Sequence, residues 1–565
     1  MCGICGIFHR DRNCAVERDA LRRMVAAIRH RGPDDAGTFL RGDAPAAGDA
    51  PPNIGLGMSR LSIIDVMGGR QPMSNEDGTV WVVLNGEIYN FRQLREELRD
   101  RHVFHTRTDT EVIPHLYEEY GTAFVEKLRG MFAIALWDER QEKLILVRDR
   151  LGQKPLLYHD DGERIAFASE FQSLHEAPDV PRAICPEALD QYLTYQYVPA
   201  PLTIFEGIHK LPPAHVLVAD ADGARLERYW DLPTELDETR STDAAARELR
   251  ERVEEAVRLR LVSDVPLGAF LSGGVDSSII VGLMARECRE PVKTFAIGFG
   301  DPKYNELDYA RVAADRFETD HREFIVTPDA VGLLPRIVRH YGEPFADSSA
   351  IPTWYLAERT REHVTVALSG DGGDEAFGGY QRYVAMGMGA KYDRLPAGAR
   401  SFIEGVAGKL VGRFSSAEPK TLGRRVKRFV QGLSDDTVRR YVEWIAYFKR
   451  EHREGLYTDA FAERLGDHDP VDVLAEQFAR TPEWDAPAAT ARADAATYLP
   501  DDILVKVDIA SMANSLEVRS PFLDHEVMGF ALSLPTRMKL GPLGTSTKRI
   551  LREAFADLLP ERIRG

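Results

Sequence analysis

Two stretches far apart in the chain share a pattern that few folds accommodate. LGAFLSGGVDSSII (267–280) and VALSGDGGDEAFGGY (366–380) each run from an apolar strand into a glycine turn, then into a helix start rich in acidic or hydroxyl side chains. Glycines let the backbone approach an anion closely, and a helix N-terminus presents unsatisfied N–H groups. Strand-like and helical segments alternate around them: PLGAFLSGG before VDSSIIVGLMAREC, VKTFAIGF before NELDYARVAADRF, HVTVALSGDGG before a further helix. That order predicts a parallel α/β sheet, and open sheets of this kind bind ligands at the C-terminal ends of their strands. From about residue 390 the chain reads as mostly helical, through to ILREAFADLLPERI.

The first ~200 residues differ and read as β-rich with glycine turns. WVVLNGEIYNF is a strand entering a turn, and FAIALWDERQEKLILVRDR is a hairpin. FRQLREELRD and DTEVIPHLYEEYG carry helical periodicity. RGDAPAAGDAPPN (41–53) is a mobile surface insertion by composition. The polar block YWDLPTELDETRSTDAA marks a boundary near 230–240, ahead of the long helix AAARELRERVEEAVRLRLV. A length of 565 residues itself calls for two or three domains.

Composition excludes several classes. Hydrophobic content of 44% and charged content of 28% are globular values. The net charge of −17 argues against a protein that tracks a phosphate backbone, so no nucleic-acid partner is expected, although a local nucleotide site is compatible with it. The apolar runs, such as VPLGAFL, are short and glycine-broken, and no basic stretch precedes an apolar core at the N-terminus. Neither a membrane helix nor a signal peptide is expected. Cys2, Cys5, Cys14, Cys185 and Cys288 make an odd, scattered set that suits a reducing cytoplasm better than a disulfide framework.

The glycine loops carry the first chemistry. The Walker signature GxxxxGK[ST] is absent, which disfavours an ordinary P-loop. Asp276 offers a hard oxygen ligand suited to Mg²⁺. Asp371, Asp374 and Glu375 crowd the second turn, where a cation or a bound proton would relieve their repulsion. The first loop alone reads equally as a capped turn, while the second reads more readily as a cation site than as a solvated acidic turn; two in one sheet form a stronger constellation.

SGGVDSS resembles the pyrophosphate-binding loop of the ATP-pyrophosphatase group. Together with TFAIGF, LSGDGGDE, FGGY and SMANSLEVRSPFLDHE, it resembles the synthetase domain of glutamine-dependent asparagine synthetases, from about 240 to the end. MCGICGIF, HRGPDD, SRLSIID, GRQPM, LNGEIYNF, RTDTEV, GMFAIALWD, RDRLGQKPL and FASE, in family order, resemble the class II glutamine amidotransferase domain of the same family. The resemblance implies an α+β N-terminal-nucleophile (Ntn) hydrolase sandwich at 1–215 and a linker at 216–238. An α/β parallel-sheet ATP-pyrophosphatase domain with a helical C-terminal part would fill 239–565.

Residue roles follow from that resemblance. Met1 would be removed and Cys2 would become the nucleophile, its own α-amino group, with a pKa of about 7.7–8.0, serving as base. Asn85 and Gly86 would form the oxyanion hole, Arg60 would grip the glutamine α-carboxylate, Asp109 would hold the α-ammonium, and Glu87 would belong to the same pocket. Ser272, Gly273, Gly274, Asp276 and Ser277 would bind pyrophosphate; Leu271 and Ile297 would line the nucleotide pocket, with Ser369 and Gly370 nearby. Asp276 and Asp374 would hold Mg²⁺, and Asp371 would handle an acyl-adenylate. The implied reaction adenylates aspartate with ATP and delivers ammonia from glutamine through an internal passage. Its partners are small molecules only, and a homodimer is common in the family. Taken singly, Arg60, Glu87 and Asp109 are ordinary turn or surface residues; the ordered set carries the assignment. Cys5 reads as a buried thiol acting as a small hydrophobe, because a metal site lacks further ligands at suitable spacing and a redox CxxC should open a helix.

The sequence also departs from the family. The family's short Arg-x-Lys stretch, whose lysine balances phosphate charge, should follow LPERI, but the chain stops at LLPERIRG. Lys506 and Lys548 fall in other pieces of the pattern, so no residue matches that lysine. The expectation is an incomplete chain or a lost synthetase activity. Asp508-Ile509 replaces the usual Asp-Arg, and Gln153 replaces an apolar residue. Glu517 and Arg519 in SLEVRSPFLD are candidates for a buried ion pair bracing the site. Two other readings stand beside asparagine synthesis: a sibling amidotransferase acting on another carboxylate, such as a cell-wall or natural-product acid, and a glutaminase-only or non-catalytic protein.

Overall fold

Side-chain alternation along the strand Cys2–His9 organises the first half of the molecule. The computed structural model describes residues 2–43, 51–299, 307–326, 329–396, 398–400, 436–541 and 546–564. Cys2, Ile4 and Phe8 face a core shared with Leu56, Val83, Ala135, Trp137 and Leu146. Cys5 and Ile7 face the other way, onto Leu21, Met24 and Val25 of the helix Arg18–Ala27. The two cysteines therefore lie on opposite faces of one strand, and burial pushes the Cys5 thiol up to about 12.

Two six-stranded antiparallel sheets stack across that core. The first runs, in spatial order, Ile208–Lys210, Leu157–Asp160, Arg164–Ala168, Cys2–His9, Ile54–Arg60, Asp35–Leu40. The second runs Gly223–Arg228, His215–Asp220, Lys143–Arg148, Gly130–Asp138, Val80–Ile88, Met73–Ser74. Its outer face buries Val82 and Leu84 against Leu94 of the helix Phe91–Leu98 and Val112 and Leu116 of the helix Val112–Tyr120. The result is a helix–sheet–sheet–helix α+β sandwich, the class that the family resemblance implies. One expectation needs correcting. The stretch from 216 is not a plain linker, because HVLVAD and GARLER pair as a hairpin and HVLVAD also pairs with Lys143–Arg148. The Val216 and Val218 side chains enter the outer core and Leu217 the inner one, and that two-sided burial makes the segment a strand.

The second half opens with the helix Thr242–Arg260, capped by the Ser241 hydroxyl, which accepts from Ala244 N at 3.3 Å. Its sheet is wholly parallel, in the order Asp320–Val326, Lys293–Phe299, Leu267–Phe270, Val366–Leu368, Glu517–Arg519. The chain begins this sheet at its centre, winds to one edge, then crosses back to lay Val366–Leu368 on the other side. The glycine loops thus leave the two strands that flank the reversal, the position where open α/β sheets bind ligands. Helices such as Ala486–Ala496, Leu504–Met512 and His525–Ser533 close the unit. Part of the 41–53 insertion (44–50), the approach to the helix Leu307–Phe317 (300–306) and the segment 401–435 lie outside the described residues. No helix among the described residues is long and apolar enough to cross a membrane.

Buried charges join the halves. Asp508, on the helix Leu504–Met512, accepts from Arg31 Nη2 at 2.7 Å and from Lys154 Nζ at 3.1 Å, and all three side chains are no more than 3% exposed. Gln153 Nε2 reaches the Leu523 carbonyl at 3.4 Å, which gives this departure from the family pattern a contact across the halves. Ile509, the other departure, is buried with Leu333, Tyr341 and Trp354. Removing one member of a buried charge cluster leaves its partners uncompensated, at a cost of about 3–5 kcal/mol. Asp508→Ala is expected to lower the urea unfolding midpoint accordingly; an unchanged midpoint would show that the cluster is not structural.

Candidate active sites

The first site forms where the inner ends of both sheets meet. Cys2 stands opposite Arg60 in the strand register. Its backbone N–H donates to Asn85 Oδ1 at 3.3 Å, and its carbonyl accepts from Arg31 Nε at 3.0 Å. Asn85 is fully buried and its Nδ2 has no hydrogen-bond partner, so an amide donor beside the thiol awaits an acceptor. Gly86 follows with φ +149°, and a Cβ there would meet the Met131 carbonyl oxygen at 2.0 Å; only glycine passes this point. Arg60 is held by the carbonyls of Ile64, Asp65 and Val66 at 3.1, 2.9 and 3.2 Å. Asp109 accepts from Ile88 N at 2.8 Å and from Thr108 Oγ1 at 3.0 Å. Burial pushes the Cys2 thiol up, opposed by the Leu61 N–H and the Arg60 guanidinium. Burial, with Asp109 close by, pushes Glu87 well above the carboxylate range, and its Oε2 is unpartnered. Cys2, Arg60 and Asn85 are brought together, and Glu87 and Asp109 adjoin them along the strand Val80–Ile88.

The second site lies between the glycine loops. A Cβ on Gly370 would meet Asp276 Cβ at 2.9 Å and Ser277 N at 3.1 Å, and one on Gly373 would meet Asp276 Cγ at 2.7 Å. The loops are therefore in contact through their glycines. Gly273 has φ +76°, and a side chain there would strike the Tyr309 backbone at 2.2 Å. Ser272 Oγ and Ser277 Oγ lie 3.1 Å apart, and Ser272 Oγ accepts from Gly274 N at 3.3 Å. Leu271 is buried in the main core; its N–H bonds the Phe295 carbonyl at 2.8 Å, close to half-buried Ile297 on the same neighbouring strand. Ser369 Oγ donates to Asp371 Oδ2 at 2.6 Å, and Ser520 Oγ donates to the Asp371 carbonyl at 2.5 Å. Asp371 also borders a small cavity shared with Gln153, Lys154 and Asp508, on the side facing the first half.

Lys548 is the residue that sequence reasoning passed over. Its Nζ bonds Asp276 Oδ2 and lies 2.7 Å from Asp374 Oδ1, so one ammonium joins the two carboxylates expected to hold a cation. It occupies the left-handed N-cap of the helix Arg549–Ala554, at φ +55°. The signal available was TKRILRE, a basic residue at a helix start, which is too common to single out. Lys506 instead pairs with Asp347 at 2.8 Å.

Glu517 and Arg519 connect the sites. Arg519 Nε donates to Glu517 Oε1 at 2.5 Å, Nη1 donates to the carbonyls of Arg260 and Val262 at 2.8 and 2.7 Å, and Nη2 lies 3.6 Å from Glu87 Oε1. Burial pushes Glu517 up, and the Arg519 guanidinium is among the charges that hold it down at about 2.

Fold and sites together define a two-part protein: a sandwich with a buried thiol at a strand start, joined through buried ion pairs to a parallel sheet whose strand-end loops suit a phosphorylated ligand. A family model of glutamine amidotransferase domains matches residues 1–230, and one of asparagine synthase matches residues 248–564. The chain is 35% identical over 575 residues to asparagine synthetase [glutamine-hydrolyzing] 1 of Bacillus subtilis, spanning 100% of this chain and 85% of that protein. It is 30% identical over 590 residues to asparagine synthetase [glutamine-hydrolyzing] 3 of the same organism, spanning 100% and 85%. It is also 28% identical over 616 residues to amidase chry2 of Gibberella zeae, spanning 100% and 87%. Among solved structures, glutamine phosphoribosylpyrophosphate amidotransferase from B. subtilis, complexed with ADP and GMP, aligns at a TM-score of 0.30 and 16% identity, covering 59% of this chain and 70% of that one, too slight a likeness to carry an argument. The chain belongs to the asparagine synthase family and carries that family's glutamine amidotransferase domain at its N-terminal end.

Asp524 supplies a pH test of the frame. It accepts from Arg260 Nη1 and Arg129 Nε, each at 2.9 Å; burial pushes its carboxyl up, but the two guanidinium groups hold it at about 2 against an ordinary 3.8. Between those values the folded state binds fewer protons than the unfolded state, so this contribution is present above about pH 4 and is lost as pH falls toward 2. The stability advantage of the natural chain over Asp524→Asn is expected to shrink by about 2 kcal/mol across that window. A difference that stays flat with pH refutes the pairing.

Proposed function

We propose that the chain is a glutamine-hydrolysing asparagine synthetase that forms asparagine, AMP, diphosphate and glutamate from aspartate, ATP, glutamine and water. The observation that carries the reading is the meeting of Asp276, Asp374 and Lys548 at the touching glycine loops, on one frame with the buried thiol. In the first half, Cys2 gives up its thiol proton to its own α-amine once Met1 is removed and attacks the glutamine side-chain amide. Asn85 Nδ2 and the Gly86 N–H receive the developing oxyanion; Arg60 and Asp109 orient the glutamine ends. Ammonia leaves a thioester, and water frees glutamate.

In the second half, Ser272, Gly273, Gly274 and Ser277 cradle the phosphates, while Leu271, Ile297, Ser369 and Gly370 position the nucleoside part. The aspartate side chain attacks the α-phosphorus and diphosphate departs, giving β-aspartyl-AMP, which ammonia then opens to asparagine and AMP. Asp371 faces this acyl group. Asp276 and Asp374 fit Mg²⁺, since Asp276 Oδ1 is a buried oxygen with no partner. Mg²⁺ there would offset phosphate charge, and Lys548 adds a second positive charge to the same carboxylates. The cavity shared by Asp371 and Asp508 lies toward the first half and suits the passage of neutral ammonia.

The test uses this chain with Mg²⁺-ATP, glutamine and aspartate, counting glutamate, AMP and asparagine. AMP and asparagine in equal amounts, both dependent on aspartate, are expected. AMP formed only with a different carboxylic acid selects the sibling reading, which the likeness to amidase chry2 favours; glutamate without AMP for any acid removes the ligase reading. Cys2→Ala is expected to abolish glutamine use and spare ammonia-dependent synthesis. Asn85→Ala is expected to lower glutaminase kcat by about 10²–10³-fold with KM little changed; a full-rate Asn85→Ala enzyme would exclude the oxyanion role.

A further inference from the structure

A separate cluster of ligand-type side chains sits on the helical side of the sandwich, and neither site uses it. Glu76 lies in the turn between Met73–Ser74 and Val80–Ile88, His102 in the connection after Phe91–Leu98, and His115 and Glu118 one helical turn apart on Val112–Tyr120. One ligand atom from each of the four falls within 4.8 Å of all the others. His102 Nδ1 is 3.5 Å from Glu76 Oε1 and 3.7 Å from Glu118 Oε2; His115 Nδ1 is 3.5 Å from Glu76 Oε2 and 3.6 Å from Glu118 Oε2. These spacings are too long for good hydrogen bonds. They match the separation of about 3.4 Å between donors placed about 2.1 Å from a tetrahedral zinc ion.

The burial pattern points the same way. His115 is 1% exposed, and neither of its ring nitrogens has a hydrogen-bond partner; Glu118 Oε2 is likewise buried and unpartnered. The cluster is also held from outside. His102 Nε2 bonds Glu119 Oε1 at 3.0 Å, Glu118 Oε1 accepts from Asn75 Nδ2 at 2.9 Å, and Glu76 Oε1 accepts from Val103 N at 2.7 Å. A carboxylate on the far nitrogen of a ligating histidine is a recurrent outer support of metal sites, because it fixes the ring and its tautomer.

We propose that Glu76, His102, His115 and Glu118 form a structural site for a divalent transition metal, with Zn²⁺ as its natural occupant. Two imidazoles select zinc-like ions over Mg²⁺ or Ca²⁺, which prefer all-oxygen sets. The metal ties the connection 99–111 to the helix that follows it. That connection carries Thr108 and Asp109, so the site steadies the wall of the first pocket without touching it.

The full-length chain, stripped with chelator, is titrated with ZnCl₂ by calorimetry and followed by thermal unfolding. One equivalent is expected to bind and to raise the unfolding temperature. His102→Ala and Glu118→Gln, both at partly exposed positions, are each expected to remove tight binding while circular dichroism stays unchanged. Glu119→Gln, which leaves all four ligands in place, is expected to weaken binding about 10–100-fold. Co²⁺ in place of zinc is expected to show a visible spectrum without a thiolate charge-transfer band, which separates this site from Cys2. The proposal is overturned if no equivalent binds, if the His102→Ala/Glu118→Gln double variant keeps natural affinity, or if the cobalt spectrum carries the thiolate band.

Discussion

The carboxylate of Asp508 belongs to the second half of the chain and is buried between Arg31 and Lys154 of the first. Charges taken out of water hold together only when their geometry is closely met, so such a cluster tolerates little sliding between the parts it joins. Arg31 is the pivot. One guanidinium carries bonds to Asp508, to Glu170 at 2.7 Å and to the Cys2 carbonyl at 3.0 Å. The start of the strand Cys2–His9 is therefore positioned in part by a helix from the other half.

Arg519 makes the reciprocal connection. It sits on the edge strand of the parallel sheet, pairs with Glu517, binds two carbonyls at the end of the helix Thr242–Arg260, and approaches Glu87 in the first pocket. Asp524 adds Arg260 and Arg129 to the same frame. Charged groups of the two halves thus interlock beside the first pocket.

Much of the fold was legible because its signals are local. The two apolar runs of the GMFAIALWD–KLILVR hairpin mark paired strands, and the two glycine loops mark the centre of a parallel sheet. The expected linker from 216 cuts into HVLVAD because a short strand beside a polar block looks like a boundary until its partners, Lys143–Arg148 and Gly223–Arg228, are in place. Lys548 was passed over because its importance lies in meeting Asp276, 272 positions earlier in the chain. The Glu76–His102–His115–Glu118 group has no telling spacing except the helical turn between its last two members.

The sequence alone determined the β-rich character of the first half, the parallel α/β order of the second and both glycine loops, because strand patterns, glycine turns and helix starts act over a few residues; Cys2, Asn85 and Gly86 stood out only through the family resemblance. Only the tertiary structure decided that Lys548 joins Asp276 and Asp374, that Arg31 and Lys154 close on Asp508, and that an unpartnered His115 faces two carboxylates. Those pairings are set by the Coulomb attraction and desolvation of groups brought close by chain packing, and neither depends on separation along the sequence.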